Sequence, residues 1–339
     1  RAPCPLHHDQ NSTIENAMSR ALQFLLTFIV VLTLNFMLPR MIPGDPLADL
    51  DDPQGLPIPL SQAQREQLMA YYGLDRPIME QYGRYLSGLI RGDLGWSITY
   101  NAPVLHVLLA RLRWTLLLVG LATLVYVVIG ILLGAVSALY RGRTLDAFLL
   151  LTTSILGSFP AFFLAMLLIV LFVVRLGILP LGGAQSPLTL AADPLTRALS
   201  IARHMILPVL TLVPVNVGDI YYLTRNSVIR TLDNTYITVA RAKGLAEGRL
   251  LLRYMLPNAL LPIITLVALR FGFLVMGAVM VEVAFAYPGI GLVIVEASRG
   301  RDYPMLQGAF VLIMFSVIGA NLLGDLLHGV LDPRVRGRE

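Results

Sequence analysis

Residues 205–258 read MILPVLTLVPVNVGDIYYL followed directly by TRNSVIRTLDNTYITVARAKGLAEGRLLLRYMLPN. The first nineteen residues carry a single charge, Asp219, whereas the next thirty-five carry six cations: Arg225, Arg230, Arg241, Lys243, Arg249 and Arg253. Apolar sequence then resumes over Ala259–Ala284. At about 1.5 Å per helical residue, nineteen apolar residues reach across a hydrocarbon core of about 30 Å. A long basic loop between two such runs is held on the cytoplasmic side by the positive-inside rule. This stretch predicts an all-α polytopic membrane protein.

The rest of the chain extends the pattern. Ala21–Leu38, Trp114–Leu139, Ala147–Val174 and Ala309–Leu327 are further apolar runs, so that six transmembrane helices are expected with both termini on one side. The 339 residues are 56% apolar and 14% charged, with a mean hydropathy of +0.71. A soluble domain carries about 25% charged residues, so a soluble enzyme is excluded. Arginine distribution sets the orientation. With the N-terminus inside, loops 140–146 and 224–258 and the tail hold eleven cations (Arg141, Arg143, the six above, Arg334, Arg336 and Arg338). The shorter outer segments hold five, and the long segment 39–113 balances its arginines with acids. Both ends are therefore expected in the cytoplasm.

The expected organisation is a polar extension at 1–17, a first helix over 18–38 and an extracytoplasmic helical segment over 39–113. A five-helix core with the coupling loop 224–258 occupies 114–331, and a cytoplasmic tail covers 332–339. Residues 1–17 read as an addition before a natural start at Met18. Within 39–113, Ser61 and Gln64 have the spacing of a capping box that opens a helix through Tyr72. Ile78, Tyr82, Tyr85, Leu86 and Leu89 follow helical spacing, and Val104, Leu108, Leu109 and Leu112 line one face of a third helix.

Several chemistries drop out. Lys243 is the sole lysine and follows Ala242, so the chain lacks the G-x-x-x-x-G-K-[ST] loop of an ATP site. Cys4 is the sole cysteine, and no histidine stands in H-E-x-x-H, which leaves no thiolate cage and no zinc-protease site. No catalytic and no metal-binding residue is expected. A membrane domain without its own ATP site, if it is driven by ATP, would receive that work through a contact with another protein. A short helix in loop 224–258 suits that contact, with Ala240, Ala242 and Gly244 permitting close approach and Arg241 and Lys243 offering charge.

Tyr236–Leu245 (YITVARAKGL) and Tyr254–Ala259 (YMLPNA) resemble the EAA loop of ABC importer permeases, whose form is E-A-A-x3-G-x9-I-x-L-P. Ala240, Gly244, Leu256 and Pro257 match at the required spacing; Thr238 stands at the glutamate, Val239 at the first alanine and Tyr254 at the isoleucine. Other segments agree in order: Ile42–Pro46, Tyr72–Pro77, Gly92–Ser97, Glu282 with Phe285 and Pro288–Gly291, Arg301–Pro304 and Leu331–Arg334. Over residues 20–337 the chain resembles the oligopeptide/dipeptide/nickel branch. Arg270 stands where that branch often has glutamine, and Tyr222 where it often has arginine.

The resemblance implies a type I ABC importer permease fold in a prokaryotic inner membrane. It implies a second, homologous permease, two ATPase subunits that hold ATP and magnesium, and an extracytoplasmic binding protein. No nucleic acid is expected. Thr238, Ala240, Arg241, Ala242, Lys243, Gly244, Leu245, Leu256 and Pro257 are then the residues that dock on an ATPase. Closure of the ATPases would pull on this loop and swing the bundle from inward- to outward-facing. The cargo would be a peptide, a glutathione-like molecule or a nickel chelate.

Ionisable groups within apolar runs need a partner or a cavity. Asp219 and Arg270 are expected either to pair or to line the pathway, and Asp325 to lie near the inner surface. Glu282, Tyr287, Pro288 and Gly289 are expected at the outer mouth, as a gate or as a plain helix stop. Two rival readings exist. An intramembrane aspartyl protease would use Asp219 and Asp325, but neither sits in the sequence context of those enzymes. A secondary transporter working without an ATPase would show inverted repeats, and no convincing repeat is present.

Overall fold

The computed structural model describes residues 26–41, 62–260, 262–264, 266–267 and 278–331. The described residues divide into two compact units, one within 1–105 and 297–311, the other within 106–296 and 312–339.

The first unit contains α1 (Leu26–Arg40), α2 (Gln62–Tyr72) and α3 (Ile78–Ile90), then a hairpin of β1 (Trp96–Ser97) and β2 (Ala102–Pro103). Helix α2 ends at Tyr72 and α3 covers the expected stripe, while Ser61 of the capping box lies outside the described residues. Phe36 on α1 is buried against Tyr82 and Tyr85 of α3, with ring centroids 5.1 and 5.6 Å away. The Thr33 and Tyr82 hydroxyls lie 2.8 Å apart, and Asn35 donates to the Tyr85 hydroxyl at 3.0 Å. The hairpin pairs Trp96 with Pro103, and Asn101 turns it at φ 46°. Buried Asp302 accepts from Ser97 Oγ at 2.5 Å and from the Thr99 N–H at 2.9 Å. Its other oxygen caps the following helix at the Met305 N–H, 3.0 Å away.

The second unit is built on long helices. Helix α4 runs unbroken over Val104–Leu139, so the separate helix expected before residue 113 is the first turns of this one. Arg111 and Arg113 are good helix formers, and no proline or glycine separates them from Trp114. The expected span Ala147–Val174 is two helices, α5 (Thr144–Ser158) and α6 (Ala161–Leu168, extended to Arg175 by a wider turn), bent by 95°. Pro160 causes the bend: it has no N–H to give, and it holds the preceding Phe159 extended at ψ 133°. Helix α7 (Pro194–Leu232) opens on Asp193, which accepts from the Thr196 N–H at 3.0 Å, and it absorbs Pro208 and Pro214. Then come α8 (Thr235–Ala242), α9 (Glu247–Leu250, continuing as a wider turn to Met255) and α10 (Val279–Ala284); α11 (Ile290–Arg299) belongs to this unit up to Glu296, and α12 (Tyr303–Leu331) from Leu312 onward.

Among the described residues, α4, α7 and Tyr303–Ala320 of α12 are long and apolar enough to cross a membrane, and the bent α5–α6 pair makes a fourth if taken as one span. The first expected span is described from Leu26 onward. Of the fifth, residues 261, 265 and 268–277 lie outside the described residues.

Helices α4 and α7 approach closely because α4 presents Gly130 and Gly134, one turn apart. A Cβ at Gly130 would stand 2.7 Å from Ile220 Cβ, and one at Gly134 would stand 2.6 Å from the Tyr221 carbonyl oxygen. Small residues at this spacing let two backbones meet without intervening side chains.

Candidate functional site

The basic segment after α7 forms one helix and a defined stop. Asn234 leads into α8, whose inward residues Ile237 and Ala240 are buried with Ala138, Val228, Leu250, Met255 and Ala259 in a single apolar cluster. The helix ends in a Schellman motif. The Leu245 N–H reaches the Ala240 carbonyl at 3.4 Å and the Gly244 N–H reaches Arg241 at 2.9 Å. Gly244 occupies the left-handed position at φ +79°, where a side chain is strained. Leu245 packs on the same cluster as Ala240, supplying the apolar contact that accompanies this motif.

This geometry reassigns part of the expected docking surface. Ala240 faces the protein's own core, so it is no part of an exposed small-residue patch. Gly244 and Leu245 are explained by the helix stop. Arg241 is committed to Glu247, with Nε and Nη2 at 2.6 and 3.1 Å from its carboxylate oxygens; beside that guanidinium, Glu247 is held below the usual carboxylate range. Thr238, Ala242 and Lys243 stay on the exposed side with Tyr236 and Val239. Leu256 is half-buried and Pro257 exposed, and Asn258 donates back to the Tyr236 hydroxyl at 3.2 Å.

Just above this seat lies a polar cluster that the sequence reading did not single out. Asp146, in the first turn of α5, is buried and receives Arg225 of α7 in a two-pronged pair, Nε and Nη2 each at 2.8 Å. Ser137 Oγ donates to it at 2.5 Å, and the Gly142 N–H of the α4–α5 turn donates at 3.0 Å. Because Ser137 spends its proton on Asp146, the Tyr221 hydroxyl 2.7 Å away donates to Ser137. An arginine and an aspartate at opposite ends of apolar runs were the available signal. Their separation of 79 residues hid the pairing.

Another buried carboxylate has no cation beside it among the described residues. Glu282 on α10 is wholly buried and accepts from Thr115 Oγ1 at 2.7 Å and from the Gly291 N–H at 2.7 Å. Thr115 Oγ1 in turn receives the Ile290 N–H at 2.8 Å. The Glu282–Thr115 pair thus satisfies the free donors at the start of α11. A Cβ at Gly289 would fall 2.2 Å from the Glu282 carboxylate, which only glycine avoids. Tyr287 is also wholly buried, its ring edge-on to Trp114 at 6.1 Å. Glu282, Tyr287 and Gly289 therefore form a packed turn, with Pro288 half-buried.

Of the expected Asp219–Arg270 pair, Arg270 lies outside the described residues; Asp219 is on the exposed side of α7. Asp325 is within α12, and its side chain lies outside the described residues.

The family described as "Binding-protein-dependent transport system inner membrane component" matches residues 130–337, which spans the Asp146–Arg225 cluster, the basic segment and the Glu282 turn. The chain belongs to this family. It is a permease subunit of an ABC importer, as the order of its motifs led us to expect. The permease is 35% identical over 329 residues to the dipeptide transport system permease protein DppB of Escherichia coli K12, covering 92% of this chain and 96% of the relative. It is 34% identical to the oligopeptide transport system permease protein AppB of Bacillus subtilis, covering 93% and 97%. It is 35% identical to the glutathione transport system permease protein GsiC of an Escherichia coli O6:H1 strain, covering 94% and 98%. Among solved structures, the permease superposes with a chain of the inward-facing MetNI methionine ABC transporter at a TM-score of 0.54. That match covers 67% of this chain and 97% of the other at 17% identity, a likeness of fold.

Proposed function

We propose that this permease forms half of a translocation pathway for short peptides or glutathione-like peptides. An extracytoplasmic binding protein would deliver them, and two ATPase subunits that bind ATP and magnesium would drive transport. The observation that carries the cargo class is the full-length similarity to dipeptide, oligopeptide and glutathione permeases. In this reading six helices cross the membrane, both termini are cytoplasmic and segment 39–113 is extracytoplasmic. A second, homologous permease completes the pathway. The chain performs no bond chemistry itself.

The ATPase would dock on the exposed face of α8, on Tyr236, Thr238, Val239, Ala242 and Lys243. The support is physical. The opposite face of α8 is already buried in the permease, so a load applied to the exposed face presses the helix into a formed apolar seat.

Lys243 provides a direct test, being the sole lysine of the chain. An amine-reactive cross-linker applied to the assembled complex in membranes can join lysine of this chain only through that position. We expect peptides linking Lys243 to an ATPase subunit. Linkage of Lys243 to the binding protein would overturn both the orientation and the docking face. A functional companion is Gly244→Arg, which places a bulky cation beside the docking face, compared with Gly244→Asn, which tolerates the left-handed backbone. Uptake of labelled peptides is expected to fail in the first and persist in the second; normal uptake by Gly244→Arg would refute docking here.

A further inference from the structure

Helix α8 rests on the rest of the permease through Ile237 and Ala240, which share one apolar cluster with Ala138 of α4, Val228 of α7, and Leu250 and Met255 of the α9 stretch. Apolar burial resists separation but is non-directional and sets no register. A seat of this kind yields to a sideways push unless directional bonds stand beside it. They stand one residue away on α4 and three residues away on α7. Ser137 precedes Ala138, and Arg225 precedes Val228 by one helical turn, and both bind Asp146.

We propose that Asp146 and Arg225 are positioning residues for energy coupling: their clamp locks α4, the α4–α5 turn, α5 and α7 into one lever, so that a displacement of α8 reaches the membrane helices undiminished. The inference rests on the reading of α8 as the ATPase-docking element. Three observations carry it. The clamp joins three helices and a turn at one carboxylate, which accepts from Arg225, Ser137 and the Gly142 N–H. Directly alongside, Gly130 and Gly134 bring the backbones of α4 and α7 into contact, so these helices mesh and do not slide over side chains. A buried ion pair adds little net stability over an apolar filling of equal volume, but it fixes geometry when every partner is satisfied. Here the two prongs from Arg225, the Ser137 hydroxyl and the turn N–H meet that condition, with the Tyr221 hydroxyl holding Ser137 in place.

The test uses the complete transporter, with its second permease, ATPases and binding protein, in liposomes. It measures uptake of radiolabelled peptides of two to five residues together with ATP hydrolysed. Asp146→Asn removes the charge and one acceptor. Arg225→Lys keeps the charge and loses the fork. Tyr221→Phe removes one hydroxyl at the edge. A merely structural defect lowers the number of working transporters and so lowers uptake and hydrolysis in parallel. Loss of coupling lowers the peptide carried per ATP, and we expect a fall of about fivefold or more for Asp146→Asn. Smaller falls are expected for Arg225→Lys and Tyr221→Phe, in that order. Where Asp146→Asn does not assemble, Arg225→Lys decides, and a ratio equal to wild type in that variant overturns the proposal. Wild-type uptake that proceeds without ATP overturns the reading of the function, and the clamp falls with it. Wild-type uptake that is ATP-driven, with unchanged ratios in every folded variant, overturns the clamp alone.

Discussion

The stop after α8 and the stop after α10 use the same backbone pattern and solve it differently. After α8 the Leu245 N–H bonds to Ala240 and the Gly244 N–H to Arg241; after α10 the Tyr287 N–H bonds to Glu282 at 2.7 Å and the Ala286 N–H to Val283 at 3.1 Å. The left-handed position is Gly244 at φ +79° in the first and Ala286 at φ 45° in the second. Alanine there carries a Cβ against its own carbonyl and costs about 1 kcal/mol relative to glycine. The first stop lies on an exposed basic segment where a Cβ on Gly244 would meet nothing within 4 Å, and its left-handed position is supplied by local chemistry. The second is held from outside. Glu282 reaches the start of α11, the Gly183 N–H bonds to the Phe285 carbonyl at 2.8 Å, and Tyr287 is buried against Trp114. A strained turn persists where its surroundings over-determine it.

The sharpest way to break the comparison is Gly289→Ala, whose Cβ would stand 2.2 Å from the Glu282 carboxylate. That carboxylate is fixed by buried donors and cannot swing away, so a loss of about 3 kcal/mol is expected. It would be measured as the fraction of chain recovered in the assembled complex after heating in mild detergent. Full recovery would mean that the α10 stop is looser than its packing indicates. Glu282→Gln comes next, at about 2 kcal/mol, because the amide nitrogen must either face the Gly291 N–H or turn the buried Thr115 hydroxyl proton away from its acceptor. The same heating assay reads it, and Glu282→Ala should be no milder. The two left-handed positions then give a matched pair of opposite sign. Gly244→Ala should cost about 1 kcal/mol and Ala286→Gly should gain a similar amount; equal signs would refute the difference drawn between the two stops. The smallest effect belongs to Glu247→Gln, about 0.5 kcal/mol or less, because the Arg241–Glu247 pair is half exposed. Since Arg241 holds the Glu247 carboxyl below its usual range, whatever the pair adds is present at neutral pH. It is lost only as the pH falls through that lowered value. A titration of thermal stability from pH 7 downward should therefore leave wild type and variant parallel until the acid range.

Individual elements show how far the sequence could be read. The stop at Ala240–Leu245 is written locally, as a glycine after a short helix followed by an apolar residue, but in the sequence Gly244 reads for its small size and motif position and not as a helix stop. Helix α3 was legible from its aromatic and leucine stripe, and it does pack half-buried Tyr82 and Tyr85 against Phe36. The bend at Pro160 was written in the chain but passed over, since apolar length dominated the reading of Ala147–Val174. The helix expected before residue 113 vanished into α4 because nothing between Arg111 and Trp114 breaks a helix. Ala240 reads as a docking residue from its small size and its match to the EAA loop, and its burial in one cluster with Ala138 and Val228 takes it off the exposed surface.

By itself the sequence determined the helical membrane architecture, the family and the basic segment with its glycine stop. Apolar length, charge asymmetry and left-handed backbone are properties of contiguous residues. The tertiary structure alone decided what the buried carboxylates do. Asp146 meets Arg225 across 79 residues, and Glu282 meets Thr115 across 167. Neither partner is specified by neighbours in the chain. The cost of leaving a carboxylate unpaired in an apolar interior is met only when distant helices have packed.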